Sequence, residues 1–354
     1  MKVGILTQPL RTNYGGILQN YALQQTLKRL GHTPITLDYD SYFSQMRWVL
    51  GEIKAKLTGA KHDIEFPKYK RAGQENLNRF ISHHINKTKP YVGLPIRDFA
   101  QKVDAMVVGS DQVWRPRCNV PEDWLYEMFF RSLLDLNIPK VAYAASFGSA
   151  EWEYSTVQTE LCRQYVKQFK AMSIRENSGV ELSRKFLGRE AQWVLDPTML
   201  LDAEDYIKIC GNENPYKKPT LFAYVLDATT EKVNKINTIA ESKGLELFLK
   251  GANDDIKRSD SIELWLSWIK NADYVITDSF HGLVFSILFE RPFIVFTDSW
   301  RGNARFNSLL TLYGLEDRAI SSVNENDGAI DWKKVETIRQ AEKQMSIMFL
   351  KDNI

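Results

Sequence analysis

Short apolar runs alternate along the chain with longer stretches whose apolar positions recur at helical spacing. The first half offers VGILT (3–7), TPITLDY (33–39), AMVVG (105–109), KVAYAAS (140–146), AMSIR (171–175) and QWVL (192–195). The second offers LFAYVLD (221–227), LELFLK (245–250), DYVIT (273–277) and FIVFT (293–297). Runs this short and continuous fit strands covered on both faces of a parallel sheet, and the stretches between them fit crossover helices. The pattern therefore predicts an α/β chain, parallel sheets with helices on both faces. Proline and Gly-Asn clusters in DPTMLLDAEDYIKICGNENPYKKP (196–219) mark a linker around a short helix. The expected units are 1–201 and 202–354, with the last helix packing back on the first unit. A length of 354 residues agrees with about two domains. AMVVGSDQVW and DYVITDSFHG are alike, an apolar strand followed by Ser and Asp in the next turn, which suggests two related halves facing each other across a cleft.

Residues 41–85 read as a helical insertion after the second strand. From Tyr42 to Arg71 it carries seven Lys or Arg against three Asp or Glu, with Tyr42, Phe43 and Trp48 alongside. Such a segment suits a solvated helical face, and also peripheral contact with a membrane surface or an acidic acceptor.

Composition narrows the classes. Apolar residues are 44% and charged residues 25%, as in ordinary globular chains. The net charge is only 46 − 44 = +2, so no global field points to nucleic acid, and any anion site must be local. Cys118, Cys162 and Cys210 are odd in number and far apart, which fits neither a disulfide framework nor a zinc pattern and suits a reducing cytoplasm. The apolar start of MKVGILTQPL is too short for a signal peptide, and LVFSILFERPFIVF is interrupted by Glu290, Arg291 and Pro292, so no membrane span is expected. No ligand cluster calls for a metal.

In open parallel sheets, ligands sit at the carboxyl ends of the strands. The first polar residues after the strands become the candidate list: Gln8 to Gly16, Ser110-Asp111, Ser146 to Gly148, Arg175-Glu176, Asp196, Asp227, Lys250-Gly251, Asp278 to His281, and Asp298 to Arg305. After the first strand, Asn13, Gly15 and Gly16 open a helix where backbone can approach a ligand closely, or simply turn the chain. In TDSFHGLVFS, Asp278 or Ser279 can cap the next helix, Gly282 can bring its first turn near a ligand, and His281 stands at its positive end, placed to act as a proton donor to a bound anion. Arg175, Lys250, Arg301 and Arg305 supply cations for a small polyanion, since the guanidinium fork grips phosphate or carboxylate in pairs. Asp111 is placed to take a proton from a hydroxyl, as is Asp278, and Trp114 either stacks on a sugar ring or packs in the core.

VVGSDQVW, YAASFG, SIRENSG, VLDPTMLL and NADYVITDSFHGLVFSILFERPF, with the opening GILTQPLRTNYGGILQNYALQQTLKRLGH, resemble the polysaccharide pyruvyl transferases in the same order over nearly the whole chain. The resemblance implies two Rossmann-like domains in a GT-B-like arrangement. It implies transfer of pyruvyl from phosphoenolpyruvate, the donor substrate, to two hydroxyls of a sugar, forming a cyclic ketal and releasing phosphate without a further cofactor. The acceptor would be a glycan or a lipid-linked precursor. His281 matches the family histidine beside the phosphate, Arg175 the arginine after the fifth strand, and Asp111 an acidic position at the cleft edge. Family members often carry Arg-Leu-His where this chain has Ser279-Phe280-His281, so Arg301, Arg305 or Lys250 must supply that charge. Two other classes share the pattern: a GT-B glycosyltransferase using a nucleotide sugar, and a non-catalytic partner in polysaccharide assembly.

Overall fold

The computed structural model describes residues 1–40, 56–58, 74–92, 95–251, 260–297, 303–320 and 328–354. Each of the ten apolar runs carries a strand. In chain order the strands are β1 (Lys2–Leu6), β2 (Thr33–Thr36), β3 (Tyr39–Asp40), β4 (Tyr91–Val92), β5 (Ala105–Val108), β6 (Lys140–Ala145), β7 (Ala171–Ile174), β8 (Gln192–Trp193), β9 (Thr220–Val225), β10 (Glu246–Gly251), β11 (Tyr274–Thr277) and β12 (Phe293–Val295). The two-residue pair of β3 with β4 is the addition that the apolar pattern did not predict. The principal helices are α1 (Tyr14–Arg29), α2 (Glu75–His84), α3 (Thr156–Tyr165), α4 (Asn177–Leu182), α5 (Ala203–Cys210), α6 (Thr230–Lys243), α7 (Ile262–Asn271), α8 (Phe280–Leu288), α9 (Ala304–Tyr313) and α10 (Trp332–Asn353). Helix α2 lies within the helical insertion expected at 41–85. Tyr42, Phe43 and Trp48, and with them the suggested membrane-facing surface, lie outside the described residues.

All pairings are parallel, in two main sheets ordered β2-β1-β5-β6-β7-β8 and β10-β9-β11-β12. Counted within its own sheet, each half begins 2-1-3-4. Strands β5 and β11, which precede the two similar Ser/Asp turns, are therefore topological equivalents. In such sheets the order reverses beside the first strand, and a crevice opens at its carboxyl end. The first crevice lies between β1 and β5, the second between β9 and β11.

The halves share apolar packing. One continuous cluster of buried residues takes in Val3, Ile5 and Leu27 of the first half with Phe222, Val275 and Phe285 of the second. The Tyr14 ring stacks on Trp265 at 5.4 Å, and its hydroxyl donates to the Asp260 carbonyl at 2.9 Å. Helix α10 then returns across the linker. Ser346 Oγ accepts from Leu195 N at 3.0 Å, and Phe349 lies 6.1 Å from the Tyr143 ring. Arg339 donates to the carbonyls of Met199 and Leu201 at 3.2 and 3.3 Å.

Asp202 ties this return together. It caps α5 and accepts from Arg339 at 2.8 Å and Lys343 at 2.6 Å, both on α10. Burial opposes its charge, but the two cations prevail and hold the carboxyl at about 2, against 3.8 for a free aspartate. A depressed carboxyl stabilises the fold above its unfolded value and loses that contribution as pH falls through the folded one. With the side chain 38% exposed, solvent screening reduces the contribution to about 1 kcal/mol. Asp202→Asn, which keeps a good helix cap, is expected to lower stability by about 1 kcal/mol at pH 7 and to lose less than the parent between pH 4 and pH 2. Urea unfolding at both pH values checks this; equal midpoints at neutral pH would show that the network contributes nothing.

Candidate active site

Helix α8 starts directly at the end of β11. Ser279 caps it, accepting from Gly282 N at 3.4 Å while donating its own N–H to Thr277 Oγ1 at 3.0 Å. A Cβ on Gly282 would stand 2.4 Å from Thr277 Oγ1. The close approach that Gly282 permits is thus to the strand end, not to a ligand as its place in the motif suggested. All nine residues of α8 are buried, His281 among them.

The loop from β1 meets this helix head on. A Cβ on Gly15 would lie 1.9 Å from His281 Nδ1, so the imidazole rests against bare backbone in the first turn of α1. The amino-terminal ends of α1 and α8, both positive, therefore face each other across one histidine. A Cβ on Gly16 would stand 3.3 Å from Asn13 Nδ2, a tight contact with a side chain, and Asn13 precedes α1 as an exposed residue.

Behind the histidine lies a buried ionic cluster. Asp196 Oδ1 sits 3.7 Å from His281 Nε2, an electrostatic contact longer than a hydrogen bond. The same oxygen accepts from Thr198 N at 3.0 Å and from Thr198 Oγ1 at 2.7 Å. Its partner Oδ2 accepts from Arg175 Nη1 at 2.6 Å and Ser110 Oγ at 3.3 Å. Arg175 Nη2 donates to Asp111 Oδ1 at 3.1 Å, and that oxygen also takes Gln112 N at 2.8 Å. The Arg175 side chain is fully buried. Asp111 itself has φ of 76°, a conformation that L residues seldom adopt and that is held only by its surroundings.

Two guanidiniums share one ring. The Cζ atoms of Arg175 and Arg305 lie 5.2 and 5.3 Å from the centre of Phe280. Burial, and then Arg175 nearby, push Arg305 down to about 10, which still leaves it charged at neutral pH. Burial alone would raise Asp196, but His281 and Arg175 hold its carboxyl far below the usual range. Burial likewise opposes charge on Asp111, and Arg175, His281 and Arg305 outweigh it. Glu176 goes the other way: burial raises it despite Arg175, while its Oε1 accepts from Phe147 N at 2.7 Å and Gly148 N at 3.2 Å.

The structure thus brings together His281, Arg175, Arg305, Asp111, Ser279 and Gly15. Asp111 holds Arg175, and a carboxylate depressed in this way is a weak proton acceptor. Asp278 is not available as a base: its oxygens accept from Leu226 N at 2.6 Å and Asp227 N at 3.0 Å, and Lys232 reaches it at 3.2 Å. Lys250 does not join the cluster; it pairs with Asp260 at 3.2 Å and lies 5.2 Å from the centre of Trp268. Trp114 cannot stack on a sugar, because it is fully buried, stacked on Phe129 at 4.8 Å and donating to the Met128 carbonyl at 3.1 Å. Arg301 lies outside the described residues. Asp196, Glu176 and Phe280 fall within the strand-end candidate list, but sequence reasoning assigned them no role. Asp196 and Glu176 are first-turn residues after β8 and β7, so strand ends flagged their positions, but a search for cations passed them over.

The family model of the polysaccharide pyruvyl transferases matches residues 13–299, which include every residue of this cluster except Arg305. The chain belongs to the polysaccharide pyruvyl transferase family. Among solved structures this chain is similar to the S. aureus MnaA–UDP co-structure, at 12% identity and TM-score 0.50 over 97% of this chain and 87% of that one. It is also similar to a putative UDP-N-acetylglucosamine 2-epimerase from Listeria monocytogenes, at 10% identity and TM-score 0.47 over 98% and 90%. A third is the spinosyn rhamnosyltransferase SpnG with thymidine diphosphate, at 11% identity and TM-score 0.44 over 100% and 96%. At these identities the likeness concerns the fold alone. No curated protein matches the sequence.

Gly15 and His281 provide a direct test of how the halves meet in this protein. Gly15→Ala is expected to destabilise by about 1–3 kcal/mol, the usual cost of overpacking. In a His281→Ala background the same change should cost less than half as much, because the obstructing ring is gone. Chemical unfolding of the four proteins closes the cycle, and strictly additive costs would mean that the two residues do not touch.

Proposed function

We propose that this protein is a pyruvyl transferase that uses phosphoenolpyruvate as donor and a sugar hydroxyl pair as acceptor, yielding a cyclic pyruvate ketal and free phosphate. The observation that supports this reading is the pair of guanidiniums on Phe280 beside His281, between two helix amino termini. A donor with a phosphate and a carboxylate calls for several positive groups in one place. In this reading Arg305, next to the position where Ser279 stands in place of the family's arginine, takes the phosphate. Arg175, whose Nη atoms are engaged by Asp196 and Asp111, has its buried Nε left to donate.

The bond changes balance without an oxidant. C3 of the donor gains a proton from His281, which leaves C2 as an oxocarbenium centre. A sugar hydroxyl adds to C2 and gives its proton to the His281 imidazole, which restores the donor; the C2–O bond to phosphate breaks, and phosphate departs. The second hydroxyl then closes the ketal at C2, so its proton balances the departing phosphate. Asp196 Oδ1 stands 3.7 Å behind the His281 Nε2 that gives the proton, and the reaction as written needs no further cofactor. No described helix is long and apolar enough to cross a membrane. We place the reaction in the cytoplasm, at the inner membrane face when the acceptor is lipid-linked.

Phosphate release from phosphoenolpyruvate with a panel of free and lipid-linked sugars tests the reading. Arg305→Met is expected to raise the KM for phosphoenolpyruvate about 10- to 100-fold, the worth of one charge-assisted contact. His281→Ala should cut kcat about 100- to 10,000-fold, as loss of a general acid does, while phosphoenolpyruvate still raises the melting temperature. Absence of phosphate release with every acceptor, together with thermal stabilisation by a nucleotide sugar instead, would replace this reading with glycosyl transfer.

A further inference from the structure

A second hollow opens at the carboxyl end of the first sheet, next to the cluster but separate from it. It holds about 100 Å3 and is lined by Leu10, Arg11, Asp38, Asn78, Ile81 and Lys87, among others. Two larger hollows have different positions. One of about 700 Å3 lies at the amino-terminal side of β7 and β8 beside Phe349, and one of about 580 Å3 follows the outer side of α2 down to Lys28. Only the smallest shares the β1–α1 loop that ends in Gly15 against His281.

Its walls are built by backbone pairing. The chain after α2 adds to the edge of β2: Thr36 N donates to the Asn86 carbonyl at 2.9 Å, Thr88 N to the Thr36 carbonyl at 3.0 Å, and Tyr91 N to the Asp38 carbonyl at 3.0 Å. The Tyr39 hydroxyl donates to the Thr7 carbonyl at 2.9 Å, fixing the floor to the end of β1. On this frame Lys87 Nζ stands 2.5 Å from Asp38 Oδ2, with the side chains 27% and 21% exposed. Among the described residues, Asp38 Oδ1 and the Asn78 side chain have no partner. Leu10 and Ile81 supply an apolar patch beside them.

We infer that this hollow is a subsite for one neutral sugar ring of the acceptor glycan, an inference that rests on the proposed transfer to a sugar. A carboxylate, an ammonium and an amide side by side match the alternating donor and acceptor character of vicinal hydroxyls, and the apolar patch matches the C–H face of the ring. The volume has room for several waters, the scale of one ring edge and not of an oligosaccharide. Asp38 and Lys87 offset each other while Arg11 adds a cation to the same wall, so an acidic glycoside is the comparison that separates recognition of hydroxyls from simple anion binding. The ring that receives the pyruvyl group would then reach His281 along the β1–α1 loop.

Saturation-transfer NMR on the full chain decides, using the methyl glycosides of glucose, galactose and mannose, with methyl glucuronide as the acidic comparison. At least one neutral glycoside should show transfer, reduced at least five-fold in Asp38→Asn and in Asn78→Ala, both partly or well exposed positions whose replacement leaves the core intact. Thermal stabilisation by phosphoenolpyruvate should be unchanged in both variants, which separates this subsite from the donor site. Transfer that is equal in parent and variants, absent for every glycoside, or confined to the glucuronide overturns the subsite. If phosphoenolpyruvate stabilises none of the proteins, the proposed donor fails while the glycoside result still stands on its own.

Discussion

One buried carboxylate organises this molecule. Asp196 leaves the first sheet at the end of β8, begins the linker, and at that point collects Arg175, Ser110, Thr198 and the approach of His281. A charge taken out of water is costly unless its partners are close and its lone pairs are filled. Here both oxygens are occupied, and the partners come from β7, the turn after β5, the linker and α8. Removing the carboxylate would leave Arg175 as a buried cation shared with Asp111 alone. The geometry of the histidine, the arginine and the crossing between the halves is therefore one problem with one solution.

The two halves reach that point by the same topology. Each sheet begins 2-1-3-4, and the third strand of each ends in a Ser/Asp turn: Ser110-Asp111 after β5, Asp278-Ser279 after β11. The turns have diverged in use. Asp111 faces the cluster and holds Arg175, whereas Asp278 turns back to receive the amides of the loop after β9. Equivalent positions thus supply an ionic contact in one half and a backbone brace in the other, and the brace lets His281 be the group that faces the first half.

Much of the architecture was legible in the sequence. Ten apolar runs carry ten strands, because parallel strands covered on both faces leave an unbroken apolar signature. The β3–β4 pair escaped because two residues leave no periodicity. His281, Arg175, Arg305 and Asp111 stood out as polar residues just beyond strand ends. The same criterion pointed to Lys250, but a strand end says nothing about direction, and Lys250 is drawn to Asp260 and Trp268 instead. Nor does the motif reveal that Gly15 lies against His281, since that contact joins residues 266 positions apart through tertiary packing alone. Phe280 reads as core from its helix, and only the structure shows two cations over its ring.

The return of α10 bears on how the protein is made. Leu195 N, the face of Tyr143 and the carbonyls of Met199 and Leu201 are all covered by residues between Arg339 and Phe349. A nascent chain that has completed both sheets still lacks this cover, and the linker that begins with Asp196 stays open to solvent on that side. The first half therefore gains its full cover only after this helix has been made.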